Sequence, residues 1–195
     1  MNSFYTSEEL RSIGFQSVGE NVQVSRKCSI YQADKISLGN HVRIDDFTVL
    51  SGGSGIEIGS YVHIACFCGL FGGGGIRIGD FSGLSSRCVI YSVSDDFSGA
   101  TLIGPVVPAK YRGVVCKPVN IEDHVIIGTN STVLPGVTIH EGVAIGAHSL
   151  IRNSCDRWSI YYGSPAKKIK SRNQTAKELG DHLLSGIRTE STHSY

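Results

Sequence analysis

Aliphatic residues recur along this chain at an interval of six. Eighteen of them fall on one grid: Val18, Val24, Ile30, Leu38, Ile44, Leu50, Ile58, Ile64, Leu70, Ile78, Leu84, Ile90, Ile121, Ile127, Val133, Ile139, Ile145 and Ile151. The residue after a grid position is often glycine, as at Gly39, Gly59, Gly79, Gly128 and Gly146. The fifth position of a unit is often small or branched: Val42, Thr48, Val62, Ser82, Cys88, Ser131, Val143 and Ser149. This hexapeptide repeat predicts an all-β chain wound as a parallel β-helix. Each unit supplies one short strand with its aliphatic residue inward, a small residue where the chain turns, and glycine where backbones crowd.

Three units make one triangular coil. Val18, Leu38, Ile58 and Ile78 are spaced by 20, whereas the grid from Ile121 to Ile151 steps by six, giving coils of 18. Counting triplets predicts about six coils, and stacking at about 4.8 Å per coil gives a prism roughly 25 to 30 Å tall. Both ends of such a stack need covers. Residues 1–17 are expected to form a helical cap, with Thr6 as N-cap, Glu9 completing a capping box and Gly14 as the stop. The β-helix is assigned to 18–170. In 171–195 a helix is expected from Asn173 to Ile187, carrying Leu179, Leu183, Leu184 and Ile187 at helical spacing, followed by a frayed tail. The grid breaks between Ile90 and Ile121, and residues 91–120, with Gly99, Gly104, Pro105, Pro108, Gly113 and Pro118, read as an extruded loop. Long loops in compact folds are more often functional than idle.

Composition narrows the picture little further. The 195 residues support one domain, the 24 glycines suit tight stacking, and a net charge of +1 gives no argument for a nucleic-acid partner. No apolar run approaches 18 residues and the N-terminus lacks a charged-then-apolar leader, so a cytoplasmic chain without membrane insertion is expected. Cys28, Cys68, Cys88 and Cys155 occupy the small fifth position, where a thiol acts as a small apolar residue. No CxxC spacing occurs, and neither a metal site nor a disulfide is expected.

The stretch from Ile121 to Lys170, ending in Gly163-Ser164-Pro165-Ala166-Lys167, resembles the C-terminal coils of the hexapeptide acyltransferase superfamily and its Gly-x-Pro-Ala-Lys signature. Asn2-Ser3-Phe4-Tyr5, Ile44-Asp45-Asp46-Phe47 and the run from Tyr91 to Gly99 are similar to a narrower group. That group holds the acyltransferases that act on a dTDP-linked 4-amino-4,6-dideoxyglucose, together with many O-antigen acetyltransferases. The resemblance implies a left-handed coil, a homotrimer, and acetyl-CoA bound between neighbouring subunits. It further implies transfer of an acetyl group to the amine of a nucleotide-linked amino-dideoxy sugar in surface polysaccharide synthesis. The handedness rests on resemblance alone, since parallel crossovers are otherwise right-handed.

Acyl transfer from a thioester needs a neutral nucleophile, a base and donors for the oxyanion. The related galactoside and maltose acetyltransferases carry a catalytic histidine in the extruded loop. This sequence has Ser92, Ser94, Asp95 and Asp96 there, and no histidine. His63 is the replacement: it precedes inward Ile64, so strand alternation turns its ring outward. On the grid it matches a sugar-contacting tyrosine of the galactoside enzymes, and Ser51 matches a sugar-contacting serine. Asp95 or Asp96 is expected to orient the imidazole or bind the acceptor's amine. Asp45, Asp46, Ser51 and Ser94 are candidate sugar contacts. His41, His124, His140 and His148 read as corner or surface residues, and His182 and His193 lie in the tail.

For the donor, Arg152, Arg157, Lys167, Lys168, Lys170 and Arg172 form a basic cluster against the single acid Asp156. Such cations pair with the phosphates of coenzyme A, with Arg152, Lys167 and Lys170 as the chosen contacts. Gly128, Thr129, Gly146 and Ala147 would let the pantetheine arm run close to backbone donors. Two further enzymes compete with the amine acyltransferase: a sugar O-acetyltransferase, and a zinc lyase of the same fold, which needs paired histidines that His63 lacks. A non-catalytic hexapeptide scaffold is the remaining alternative.

Overall fold

The computed structural model describes residues 3–191. Asn2 and His193 lie outside the described residues. Three parallel walls run the length of a prism, forming a left-handed parallel β-helix. The first wall stacks Ser17–Val18, Ile36–Leu38, Ile56–Ile58, Ile76–Ile78, Val119–Ile121 and Thr138–Ile139. The second stacks Gln23–Val24, Arg43–Ile44, His63–Ile64, Gly83–Leu84, Ile126–Ile127, Ala144–Ile145 and Ser159–Tyr162. The third stacks Ser29–Tyr31, Val49–Ser51, Gly69–Phe71, Val89–Tyr91, Thr132–Val133 and Leu150–Ile151. Six full coils result, and Ser159–Tyr162 adds part of a seventh beyond the six that the grid predicts.

Grid residues form the core. All but Val18 and Ile30, in the first coil, are buried, and those two pack partly buried against it. In the 20-residue coils the two extra residues add a second inward ladder, Ile36, Ile56 and Ile76, continued by Val119. The extruded segment therefore returns in register, Ile76 pairing with Val119 as if nothing intervened.

The corners carry a left-handed backbone on ordinary side chains. His41, Tyr61, Phe81, His124 and Trp158 have φ between 49 and 60°. They stack coil upon coil, with ring centroids 4.6, 4.9, 5.2 and 6.0 Å apart. A bulky residue at positive φ is disfavoured by backbone sterics, and ring-on-ring contact from His41 to His124, with Trp158 covering Gly142, offsets that cost. The corner reading of His41, His124 and His148 thus has a structural counterpart, whereas His140 donates to or accepts from Glu122 across 2.9 Å.

At the N-terminal end, helix Ser7–Ile13 places Leu10 in the core, and the predicted Thr6–Glu9 capping box forms, with Gly14 at φ 85° as the C-cap. Arg26 beside Glu9, with the Thr6 backbone N–H, draws that carboxyl down to about 2. The other end departs from expectation. Lys167–Ser171 folds back antiparallel on Ser159–Tyr162, and the helix spans Thr175–Ser191, beginning two residues later than expected and continuing further. Its leucine stripe does not seal the prism: Leu179, Leu183 and Ile187 are exposed, and the buried contact is Gly180. A Cβ at Gly180 would meet the His124 ring at 2.9 Å and Phe81 at 3.3 Å, so the helix runs back along the aromatic corner.

Coil-on-coil contact is tightest at the glycine column. A Cβ on Gly39 would lie 2.6 Å from the Gly59 carbonyl carbon, while one on Gly186 would meet nothing within 4 Å. Gly39→Ala is therefore expected to lower stability by about 1–3 kcal/mol in urea unfolding, and Gly186→Ala, in an exposed helix, is expected not to lower it. The Glu9–Arg26 cap should be intact above the ordinary glutamate range near 4.5 and released as pH falls through about 2, which amide exchange of residues 7–13 would follow.

Candidate functional site

Outward positions on the walls have no packing role, so chemistry can collect there. On the second wall His63 lies between Arg43 and Gly83 in register. The missing side chain at Gly83 opens a cavity of about 320 Å3 beside the imidazole, lined also by Ala65, Ser85, Ser86 and Ile126. His63 Nε2 lies 2.8 Å from Asp45 Oδ2, and Arg43 Nε donates to Asp45 Oδ1 at 2.7 Å. Partial burial opposes ionisation of Asp45, yet the His63 and Arg43 hydrogen bonds outweigh it and hold this carboxyl below the usual range. Within one chain the imidazole is thus oriented by Asp45, not by a loop carboxylate. The adjacent Asp46 diverges to the corner, where Lys27 Nζ donates at 2.7 Å and the Ser25 hydroxyl also donates.

Of the two serines in this cavity, Ser86 is occupied. Its hydroxyl contacts Cys66 Sγ at 3.3 Å, and its carbonyl accepts from Thr129 Oγ1 at 2.6 Å. The Ser85 hydroxyl has no hydrogen-bond partner among the described residues. Neither serine stands out in the sequence; the signal was Gly83, a glycine at an outward strand position where a side chain is the norm.

A second cavity, about 560 Å3, lies under the extruded segment on the third wall. Ser51 sits in the outward column of that wall, between Tyr31 and Phe71 in register. Phe71 stacks on Tyr91 at 5.1 Å, and both line the cavity with Ser94 and Asp95. The segment is anchored by the antiparallel pair Val93–Ser94 with Val115–Cys116. Asp95 accepts from Gly104 N at 3.3 Å and lines the cavity. Asp96 is engaged inside the loop: its carboxylate accepts from Ser98 N at 2.8 Å, Ser98 Oγ at 2.9 Å and Thr101 Oγ1 at 3.2 Å, and the Ser98 donors hold it below the usual range. His63 and Asp95 therefore belong to different walls of the same chain.

The basic cluster near the C-terminal end divides. Arg157 pairs with Glu122 at 3.4 Å, Lys168 with Asp156 at 3.1 Å, and Arg172 Nη1 donates to the carbonyls of His124 at 2.9 Å and Gly142 at 3.0 Å. Arg152, Lys167 and Lys170 are exposed and form no ion pair among the described residues. Gly128 and Gly146 have a packing reason as well: a Cβ on Gly128 would lie 2.6 Å from Ala147 N, and one on Gly146 would lie within the Tyr162 ring's contact distance. No group of three metal-ligating side chains occurs, and no helix is long and apolar enough to cross a membrane, among the described residues.

Residues 118–153 match the bacterial transferase hexapeptide (six repeats) family. A dTDP-4-amino-4,6-dideoxy-D-glucose acyltransferase of Escherichia coli is 46% identical over 172 residues, which span 88% of this chain and 90% of the relative. AntD, an N-acyltransferase from Bacillus cereus in complex with dTDP and 3-hydroxybutyryl-CoA, superposes with a TM-score of 0.93 at 50% identity, covering 96% of this chain and 100% of that one. A serine-to-cysteine variant of AntD, with dTDP-4-amino-4,6-dideoxyglucose and coenzyme A, gives a TM-score of 0.92 at 50% identity over 95% and 99% of the two chains. The AntD variants alter an aspartate or a serine, ten positions apart in that chain.

The division of the cations has a direct consequence. Arg172→Ala is expected to cost about 2 kcal/mol in thermal or urea unfolding, since it strands two carbonyls, while Arg152→Ala and Lys167→Ala should leave the midpoint unchanged.

Proposed function

The chain belongs to the hexapeptide-repeat acyltransferases, in the group of the dTDP-4-amino-4,6-dideoxyglucose acyltransferases, and on that premise we propose that it moves an acyl group from acyl-CoA to the 4-amine of a dTDP-linked amino-dideoxy sugar. Such a reaction belongs to surface polysaccharide synthesis in the cytoplasm. The observation that carries the reading is the pair of outward sites: an imidazole held by Asp45 on the second wall, and a carboxylate in a cavity on the third. In the proposed homotrimer the loop of one subunit meets the second wall of its neighbour and joins the two sites.

In this site Asp95 binds the acceptor's amine and His63 accepts its proton as the nitrogen attacks the thioester carbonyl. The C–N bond forms, the oxyanion takes hydrogen bonds, the C–S bond breaks, and the departing coenzyme A thiolate takes the proton from His63 and leaves as the thiol. Three residue pairs here have the spacing of the altered AntD residues; Ser171 with Asp181 lies at the C-terminal end, which leaves Ser85 with Asp95 and Ser86 with Asp96. The Ser85–Asp95 pair fits, because Ser86 and Asp96 are already hydrogen-bonded to their own neighbours. Ser85 then donates to the oxyanion or relays a proton. In a second reading Asp95, which has the spacing of the aspartate altered in AntD, itself accepts the proton. For the donor, the unpaired Arg152, Lys167 and Lys170 meet the phosphates, and the small backbone at Gly128, Thr129, Gly146 and Ala147 flanks the pantetheine. The acyl group is acetyl or, as in the AntD complex, longer.

Thiol release with acetyl-CoA and 3-hydroxybutyryl-CoA against dTDP-amino sugars and plain sugars tests the function. Turnover is expected with the dTDP-4-amino sugar, and none with any amine would sink the reading. His63→Ala is expected to lower kcat by about 10²–10⁴. Near-full kcat in His63→Ala together with loss in Asp95→Asn would move the base to Asp95. A light-scattering mass near three chains is expected, and a mass of one would contradict the shared site.

A further inference from the structure

Arg112 Nε is the one buried side-chain nitrogen or oxygen without a hydrogen-bond partner among the described residues. Leaving a guanidinium donor unpaired in a buried place is costly, and such groups are normally satisfied. Arg112 lines the cavity under the extruded segment, the same cavity that Asp95 lines, yet no ion pair joins the two. The rest of the lining is largely apolar: the stacked Phe71 and Tyr91, then Val93, Val114 and Leu134. At about 560 Å3 the space fits a hexose rather than a single water or a lone acyl methyl.

We propose that this cavity selects a 6-deoxy amino sugar over its 6-hydroxy counterpart, with Arg112 as the specificity-determining donor to a ring hydroxyl oxygen of the acceptor. The inference rests on the acceptor reading given above and deepens it. Asp95 accepts a hydrogen bond from the neutral amine, Arg112 donates to a hydroxyl across the ring, and the C6 methyl packs against the Phe71–Tyr91 face and Val114. The two opposite charges stay apart because each awaits a different atom of one ligand. A hydroxyl on C6 would be buried among these side chains without a partner, and an apolar niche rejects it by about 10–100-fold.

The test compares dTDP-4-amino-4,6-dideoxyglucose with dTDP-4-amino-4-deoxyglucose on the full-length enzyme, and on Arg112→Met, which keeps the stem and removes the donors. Wild type is expected to favour the 6-deoxy sugar by about 10–100-fold in kcat/KM. Arg112→Met is expected to raise the KM for sugar tenfold or more, leave the KM for acyl-CoA unchanged, and not lower Tm, since no internal hydrogen bond of its Nε is lost. Equal kcat/KM for the two sugars overturns the apolar niche. An unchanged sugar KM, or a lowered Tm with both KM values raised together, overturns the Arg112 contact. No turnover with either sugar overturns the acceptor reading and this inference with it, so the two failures are distinguishable.

Discussion

Coil-on-coil backbone pairing is the constraint on which everything else depends. Each inward aliphatic residue sits above and below another at the strand spacing, and each coil's amides bond to the carbonyls of the next. An extra residue within a wall strand would turn every later side chain to the wrong face. Length can therefore change only at corners, and only where the chain returns in register. The extruded segment obeys this, leaving after Tyr91 and re-entering at Val119 beneath Ile76. The two-residue extension of the early coils obeys it too, by adding a second inward ladder instead of shifting the first.

That regularity frees the outward positions. A repeat needs its inner residues, its small corner residues and its glycines, and it asks almost nothing of side chains pointing away. The second wall uses this freedom to hold Arg43, Asp45 and His63 in one hydrogen-bonded row next to the gap at Gly83. The third wall uses it for Ser51, Phe71 and Tyr91, roofed by the extruded segment. Corners behave differently, because their left-handed backbone is a structural demand. His41, His124 and His148, with aromatics such as Tyr61 and Phe81, occupy these corners and stack or pair at the surface there.

Electrostatics divides residues that look equivalent by type. Asp45 and Asp46 are neighbours, yet alternation sends one to the imidazole and the other to Lys27. Asp95 and Asp96 divide in the same way, one lining a cavity and one engaged by its own loop's donors. In the basic cluster, the antiparallel return of Lys167–Ser171 and the anchoring of Arg172 on backbone carbonyls take up part of the charge, and Arg152, Lys167 and Lys170 remain for solvent or ligand.

The period of six determined the walls, the inward ladder, the corner residues and the position of the extruded loop, and the Thr6–Glu9 spacing the N-terminal capping box, because each is a local or strictly repeating property of the chain. The outward direction of His63 was legible for the same reason, since alternation in a strand is local. Only the tertiary structure decided what lies beside these residues: the Asp45 partner of His63, the free Ser85 at the Gly83 gap, the engaged Asp96, and Arg112 lining the same cavity as Asp95. It also turned the C-terminal helix along the corner on Gly180, leaving its leucines outside. Those contacts join residues about 18 or more positions apart, or residues of a loop that follows no repeat, and their distances depend on side-chain direction and coil stacking, which spacing along the chain does not encode.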